Sequence, residues 1–235
     1  MSLDVLGIIP ARGGSKGIPK KNLQLLGNKP LIAWTIQTAL QSKTLTRIVV
    51  STDDLEIAKV ARSYPIEVQM RPVELAQDHV PNIPDVLAYI INQYRASNYI
   101  PHLTTMLEPT YPFRTADTID RVVNEMASRT DVNWVATMAQ SKEHPYRCRC
   151  LQDNRFLPLL NNPDISNQRQ NLPPSYCYKG AVTCTNAFYA YDSFTPTTPF
   201  GGIIISNQEA IDIDEWDDLY YARYIATQQY SEVCS

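Results

Sequence analysis

Four cations and no acid fall in a short stretch near the start of the chain. The segment Ala11 to Asn22, ARGGSKGIPKKN, carries Arg12, Lys16, Lys20 and Lys21 around Gly13, Gly14 and Gly17. Glycines let a backbone approach a ligand closely and turn its N–H groups toward it. Clustered cations beside such a backbone suit a polyphosphate. The spacing matches neither of two familiar phosphate loops, since GxxxxGK[ST] and GxGxxG are both absent. A solvated basic loop is the plainer alternative. Far away in sequence, IDIDEWDDL (Ile211 to Leu219) places Asp212 and Asp214 two residues apart. In an extended segment that spacing puts both carboxylates on one face. Beside a triphosphate they suit Mg²⁺, which takes oxygen ligands and uses one or two acids plus phosphates. They also suit a helix start, with Asp214 as the cap and Asp217 three residues on, an acidic variant of the capping box.

These groups need a scaffold, and hydrophobic periodicity supplies one. Val5–Pro10 reads as a buried strand, and Pro30–Lys43 has apolar residues at helical spacing. Strand and helix then alternate: Arg47–Thr52, Asp54–Ser63, Ile66–Met70, Ile83–Ala96, Leu103–Glu108, Thr115–Ser128 and Val132–Ala139. Repeated βα units predict an α/β fold, a Rossmann-like mostly parallel sheet with helices on both faces. Ligands of such sheets bind beyond the carboxyl ends of the strands. The basic loop, STDD (Ser51–Asp54) and EPTYPFR (Glu108–Arg114) all fall at those ends. Either acid of Asp53–Asp54 can contact a ligand or cap the following helix, and capping is the preferred reading.

The alternation breaks between Gln140 and Tyr178, a polar stretch with Pro145, Pro158, Pro163, Pro173 and Pro174. A long insertion in a compact domain is either an interaction arm or a surface excursion. Strand-like runs resume at Gly180–Tyr191 and Gly201–Ile205. The predicted organisation is therefore an α/β domain of residues 1–139 and 179–235 interrupted by an arm, 140–178.

The string IPARGGSKGIPKKN closely resembles the opening signature of the acylneuraminate cytidylyltransferases (CMP-sialic acid synthetases), and further motifs follow in the family order. The resemblance implies that Arg12, Ser15, Lys21 and the backbone of Ala11, Gly13 and Gly14 hold the CTP phosphates. It implies that Asn22 helps to hold the nucleoside. RPVELAQD (Arg71–Asp78) resembles the family's base-recognition segment. Arg71 would donate to the pyrimidine, and main-chain groups near Ala76 and Asp78 would read the cytosine edge. EPTYPFRT resembles a QPTSPLRT-like element whose glutamine contacts the sugar; here that position is Glu108. A carboxylate there repels a sugar acid unless it is protonated or paired. Arg114 binds an anion, anchors the loop or makes a surface pair. In the arm, RQNLP (Arg169–Pro173) resembles the family's RQxLP, and Arg147 is the other notable cation. A keto sugar acid needs a cation for its carboxylate, and arginine offers two parallel donors. Thr183 stands where relatives often carry a tyrosine. The resemblance assigns Asp212 and Asp214 to Mg²⁺ and implies an inserted dimerisation arm that completes a partner's sugar pocket.

The implied reaction transfers CMP from CTP to the anomeric hydroxyl of a nine-carbon keto sugar acid, with Arg12, Lys21 and Asp214 at the reacting phosphates. Asp214 and a metal-bound water are the candidates for general base. A Kdo or other sugar nucleotidylyltransferase is the neighbouring alternative, and an inactive nucleotide-binding paralogue is the alternative of another class.

Composition bounds the remaining choices. The 235 residues carry a net charge of −3, 44% hydrophobic and 19% charged residues. That balance suits a soluble globular protein and argues against a general nucleic-acid binder. No apolar run approaches membrane-spanning length. The N-terminal residues, with Asp4, show no signal-peptide pattern, so a cytoplasmic setting is expected. The five cysteines include no CxxC pair. A zinc site from Cys148, Cys150 and His144 is one reading, and incidental thiols the preferred one.

Overall fold

The structure, a computed structural model, describes residues 3–76, 83–160, 171–186 and 199–233. Its centre is strand β1, Val5–Pro10, which is buried along nearly all its length. Alternate residues serve opposite layers: Val5 and Ile9 join one apolar cluster, Leu6 and Ile8 another. That two-sided burial explains the near-continuous apolar run, as expected of a central parallel strand.

After the basic loop come a two-residue pair, β2 (Leu25–Leu26) and β3 (Lys29–Pro30), and helix α1 (Leu31–Gln41). Then follow β4 (Arg47–Thr52), α2 (Leu55–Ala61), β5 (Glu67–Met70), α3 (Ile83–Ala96), β6 (Leu103–Met106), α4 (Ala116–Ser128) and β7 (Trp134–Gln140). The chain ends with β8 (Arg149–Gln152), β9 (Arg155–Pro158), β10 (Tyr176–Asn186), β11 (Gly201–Ile204) and α5 (Trp216–Val233). Among the described residues, seven strands form one sheet in the order β11-β7-β10-β6-β1-β4-β5. Strands β6, β1, β4 and β5 run parallel, as do β7 and β11, while β10 lies antiparallel between β6 and β7. Within this sheet every strand but β10 therefore ends on the same edge.

Helices cover both faces. Ile32, Ile36 and Ala39 of α1, Ile57 and Ala61 of α2, and Ile119, Val122, Val123 and Met126 of α4 pack on one side. Val86, Leu87, Ile90 and Tyr94 of α3 pack on the other. Thr115 caps α4 by accepting the Thr118 N–H, one residue before the helix proper. Helix α5 buries Leu219, Ala222 and Ala226 against Ile18, Leu26, Leu31 and Phe113. It thereby clamps the basic loop from outside. No helix among the described residues is long and apolar enough to cross a membrane.

One feature of β10 goes beyond the periodicity. Lys179 pairs with Thr137 but Thr183 with Ala136, so the residues between them bulge. The Thr137 hydroxyl fills the bulge, donating to the Lys179 carbonyl and accepting the Val182 N–H at 3.1 Å. The expected arm also contains order: β8 and β9 form an antiparallel hairpin whose residues are all exposed. The run expected from Leu103 to Glu108 stops at Met106, which frees Glu108 from the ladder. Residues 187–191 of the run expected to Tyr191 lie outside the described residues.

Candidate active site

The basic loop leaves β1 at Pro10 and crosses the end of β4. Buried Ala11 donates to the Ser51 carbonyl at 2.9 Å, and the Gly13 N–H donates to Asp53 Oδ1 at 3.1 Å. A Cβ on Gly13 would lie 2.7 Å from Asp54 Cβ, so a side chain there would lift the loop off the strand end. At Gly17 an added Cβ would land on the Asp214 carbonyl oxygen, which makes this glycine a contact surface between the loop and the IDID segment. Lys20, with a left-handed φ of 50°, turns the chain into a short 3₁₀ turn, Lys21–Leu23. Buried Asn22 donates through Nδ2 to the Arg12 carbonyl at 3.0 Å and so braces the loop from within. Ser15 is half-buried, whereas Gly14 and Lys16 are exposed.

Of the two acids at the end of β4, one takes the preferred capping role. Asp54 is the cap of α2, its Oδ1 accepting from the N–H groups of Glu56 and Ile57 at 2.7 and 3.0 Å. Asp53 faces the loop instead. The same oxygen that holds Gly13 lies 3.8 Å from the Arg71 guanidinium. Arg71 is buried at the end of β5, its N–H bonded to the Thr52 carbonyl at 2.9 Å. Burial lowers its pKa, an effect that Asp53 opposes, and its Nε has no partner. One carboxylate thus ties the ends of three neighbouring strands together. Ala76 closes a 3₁₀ turn, Val73–Ala76, while Asp78 lies outside the described residues.

On the other side, the EPTYPFR turn follows β6. Arg114 is entirely buried and donates through Nη2 to the Glu108 carbonyl. Burial brings its pKa down to about 9, against the pull of Glu108. Arg114 is therefore the anchor of this turn and not a surface pair. The Glu108 side chain lies flat on Gly180, where an added Cβ would fall 2.6 Å from its Cδ. Burial first, then the charge of Asp212, raise the Glu108 pKa to about 7, with Arg114 acting the other way. Tyr178 reaches across the bulge to bond buried Thr183, Oη to Oγ1, at 2.9 Å.

The IDID segment is stitched to both halves. The Ile213 N–H donates to the Thr110 carbonyl at 2.9 Å, and the Ile213 side chain is buried under α5. Lys21 Nζ donates to Asp214 Oδ1 and to the Ile213 carbonyl, both at 2.8 Å. Burial raises the pKa of Asp212, an effect that Thr110 and Tyr111 oppose. The helix-start reading needs correcting. Helix α5 begins at Trp216, and Asp218, not Asp217, reaches back to the N–H groups of Asp214 and Glu215 at 3.0 and 2.9 Å. The Asp214 carboxylate is left to Lys21.

The donor set suits a hard divalent cation. Asp212 Oδ1 is buried with no hydrogen-bond partner, and the side chain of Asp214, two residues on, is largely exposed. Among the described residues no cluster of three or more His, Cys, Asp or Glu is preassembled for a metal. Two acids completed by phosphate oxygens match Mg²⁺ better than a closed protein cage does. The zinc reading loses its ligands to the arm's own backbone: Cys148 Sγ contacts the His144 carbonyl, Cys150 Sγ the Leu157 carbonyl, and His144 Nε2 the Pro173 carbonyl. Arg147 is exposed just before the hairpin, and Arg169 lies outside the described residues. Sequence reasoning passed over Tyr111 and Gly180; the tyrosine's place in EPTYPFR was the available signal.

A basic glycine loop at the carboxyl ends of a mostly parallel α/β sheet is the architecture of Rossmann-like nucleotide-binding proteins. The chain belongs to the cytidylyltransferase family, whose model matches residues 6–158. It is 35% identical over 217 residues to the CMP-N,N'-diacetyllegionaminic acid synthase of Legionella pneumophila, covering 89% of this chain and 90% of that one. It is 30% identical over 227 residues to the N-acylneuraminate cytidylyltransferase of Escherichia coli, covering 94% of this chain but 52% of the relative. The chain thus spans about half the length of that relative. Among solved structures, a CMP:2-keto-3-deoxy-manno-octonic acid synthetase complexed with CTP superposes with a TM-score of 0.72 at 14% identity, covering 96% of this chain and 99% of that one. That likeness speaks for the fold alone.

Proposed function

We propose that the protein is a CTP-dependent cytidylyltransferase that activates a nonulosonic acid of the sialic, legionaminic or pseudaminic type. The observation that carries the reading is the meeting of the basic loop with the acid pair through Lys21 and Asp214. A loop of cations and amides is suited to the triphosphate, and two carboxylates beside it to the phosphates' counter-ion. Relatives carry such substrates in their names: diacetyllegionaminic acid, N-acylneuraminate and, at 28% identity over 223 residues, pseudaminic acid in Campylobacter jejuni.

In this reading Arg12, Ser15, Lys21 and the Ala11–Gly14 backbone hold the phosphates, Asn22 braces the nucleoside side, and Arg71 with the Ala76–Asp78 backbone reads cytosine. The sugar's anomeric oxygen attacks the α-phosphorus in line. The new bond is oxygen to α-phosphorus; the hydroxyl's O–H bond breaks with its proton passing to Asp214, the protein's candidate base, and the bond to the β-phosphate's bridging oxygen breaks as pyrophosphate leaves. Asp212 and Asp214 would hold Mg²⁺, which when bound supplies charge neutralisation on the phosphates. Lys21 and Arg12 add fixed positive charge where negative charge develops. Glu108, Arg147 and Arg169 form the sugar side. Space for a second substrate adjoins Asp212, a cavity of about 340 Å³ lined among others by Gln140, Lys142, Lys179 and Tyr221.

The arm, residues 140–178, completes the proposal as a dimerisation element. Its hairpin and the residues after it expose Leu151, Phe156, Leu157, Leu159 and Leu160, apolar surface that a second copy would cover. A cytoplasmic setting accords with the free thiols of Cys148, Cys150, Cys177 and Cys184. Pyrophosphate release, measured with CTP, UTP, ATP and GTP against a panel of nonulosonic acids and Kdo, tests the reading. Turnover is expected with CTP and a nonulosonic acid. Preference for a purine triphosphate, or turnover with Kdo alone, would overturn it.

A further inference from the structure

The cavity beside Asp212 is built from two sides. Cys177 and Lys179 of β10 stand opposite Ala139 and Thr137 of β7. Alternate residues of a strand share a face, and directly paired residues point the same way. Cys177 and Lys179 therefore project with Ala139 to one face of the sheet, and all three line the cavity of about 340 Å³. Asp212, Asp218 and Tyr221 line it from the IDID segment and α5. The β10 side is fixed in place. Cys177 Sγ meets Ser141 Oγ at 3.1 Å, and the Lys179 carbonyl accepts the Thr137 hydroxyl beside the bulge. On the other side, Asp218 is turned to the start of α5, its Oδ2 accepting from the N–H groups of Asp214 and Glu215. The cations that line the cavity are Lys142 and Lys179. Lys142 is exposed in the arm, whereas Lys179 is half-buried in a strand of the central sheet. A charge pairs more strongly with an anion where water is partly excluded.

A keto sugar acid limits where its counter-charge can stand. Its carboxyl carbon is bonded directly to the anomeric carbon, whose hydroxyl is the attacking group. The carboxylate is thus held close to the reacting phosphate, whatever the rest of the sugar does. A cation that lines the same cavity as Asp212 meets that condition from within the α/β domain. Arg147, by contrast, is exposed in the arm just before its hairpin. We propose that Lys179 is a specificity-determining residue that pairs with the carboxylate of the sugar acid. The inference rests on the reading of the protein as a nonulosonic acid cytidylyltransferase with Asp212 beside the phosphates. It adds a counter-charge supplied by β10 to those supplied by the arm.

The test measures inhibition of pyrophosphate release at saturating CTP and Mg²⁺. The inhibitors are the 2-deoxy form of the best sugar acid of the panel and the C1 carboxamide of that 2-deoxy sugar. Neither has the attacking hydroxyl, so each binds without reacting. A hydrogen bond to a charged group sets the scale, and the parent should bind the acid roughly 10–100-fold more tightly than the amide. In Lys179→Met most of that preference should vanish and KM for the sugar should rise, with KM for CTP and the melting temperature close to the parent's. Lys179→Arg keeps a cation and should keep part of the preference. Should Lys179→Met fold poorly, Lys179→Gln removes the charge, keeps a polar end and should act the same way. A merely structural lysine would leave the acid-to-amide ratio unmoved. A parent that binds acid and amide alike, or a parent-like ratio in both neutral variants, overturns the assignment and leaves the proposed function standing. Loss of the ratio in Lys142→Met alone moves the carboxylate to the arm and also overturns it. A parent that turns over no nonulosonic acid with CTP overturns that function and the inference together.

Discussion

The contact between Gly180 and Glu108 can be probed by adding one methyl group. In Gly180→Ala the new Cβ would fall 2.6 Å from Glu108 Cδ and 2.8 Å from Oε2, far inside van der Waals contact. Gly180 is not among the residues with positive φ, so alanine suits the backbone and the cost is steric alone. Glu108 must move, yet it is half-buried, and its charge is the foremost influence opposing the desolvation of buried Arg114. Overpacking of this kind costs about 1–3 kcal/mol. Separating Glu108 from Arg114 puts the expected value at the upper end. A double-mutant cycle isolates the contact. In a Glu108→Ala background the methyl group finds space, and Gly180→Ala should cost less than about 0.5 kcal/mol, leaving a coupling of about 1–3 kcal/mol. Urea unfolding of the four proteins without nucleotide or metal supplies the numbers. In turnover, Gly180→Ala should raise KM for the sugar and leave KM for CTP unchanged, because the displaced group sits on the sugar side. A Gly180→Ala cost that is the same in both backgrounds, or below about 0.5 kcal/mol in the parent, refutes the reasoning.

The two neighbouring acids at the end of β4 should separate in the same manner. Asp54→Ala should lose the α2 cap and about 1–2 kcal/mol of stability with CTP affinity kept, whereas Asp53→Ala should loosen Gly13 and Arg71 and weaken CTP binding more than stability. Denaturation and calorimetry with CTP decide between them, and equal effects of the two substitutions would contradict the division of roles. Light scattering should give a dimer at micromolar concentration, and Phe156→Glu with Leu157→Glu should shift it to monomer. A fully active parent monomer would remove the arm from the proposed site.

Much of the scaffold was legible because each layer writes its own period into the chain. The double-sided burial of β1, the capped α2 and α4, and the amphipathic α3 all appear as local patterns. The arm was legible as an interruption, yet its hairpin was not: β8 and β9 are fully exposed, and exposed strands carry no burial alternation. The start of α5 was displaced because four acids crowd residues 214–218, and composition cannot say which one faces the N–H groups. Asp78 and Arg169 fall outside the described residues, so their expected roles rest on resemblance.

For the site, the sequence alone determined the inventory: a basic glycine loop, an arginine after β5, an acid after β6 and a pair of aspartates near the end. Residue types and local spacing suffice for that, since side-chain chemistry and strand ends are local properties. Tertiary structure decided the pairings. Lys21 meets Asp214 across 193 positions of chain, and Glu108 lies against Gly180, 72 positions on. Such contacts depend on sheet order, on the bulge in β10 and on α5 closing over Ile18, none of which has a local signature. Burial is collective as well. Only the assembled layers bury Arg114 and draw Glu108 partly out of water, and that desolvation moves a carboxyl toward neutrality and leaves Asp212 Oδ1 without a partner.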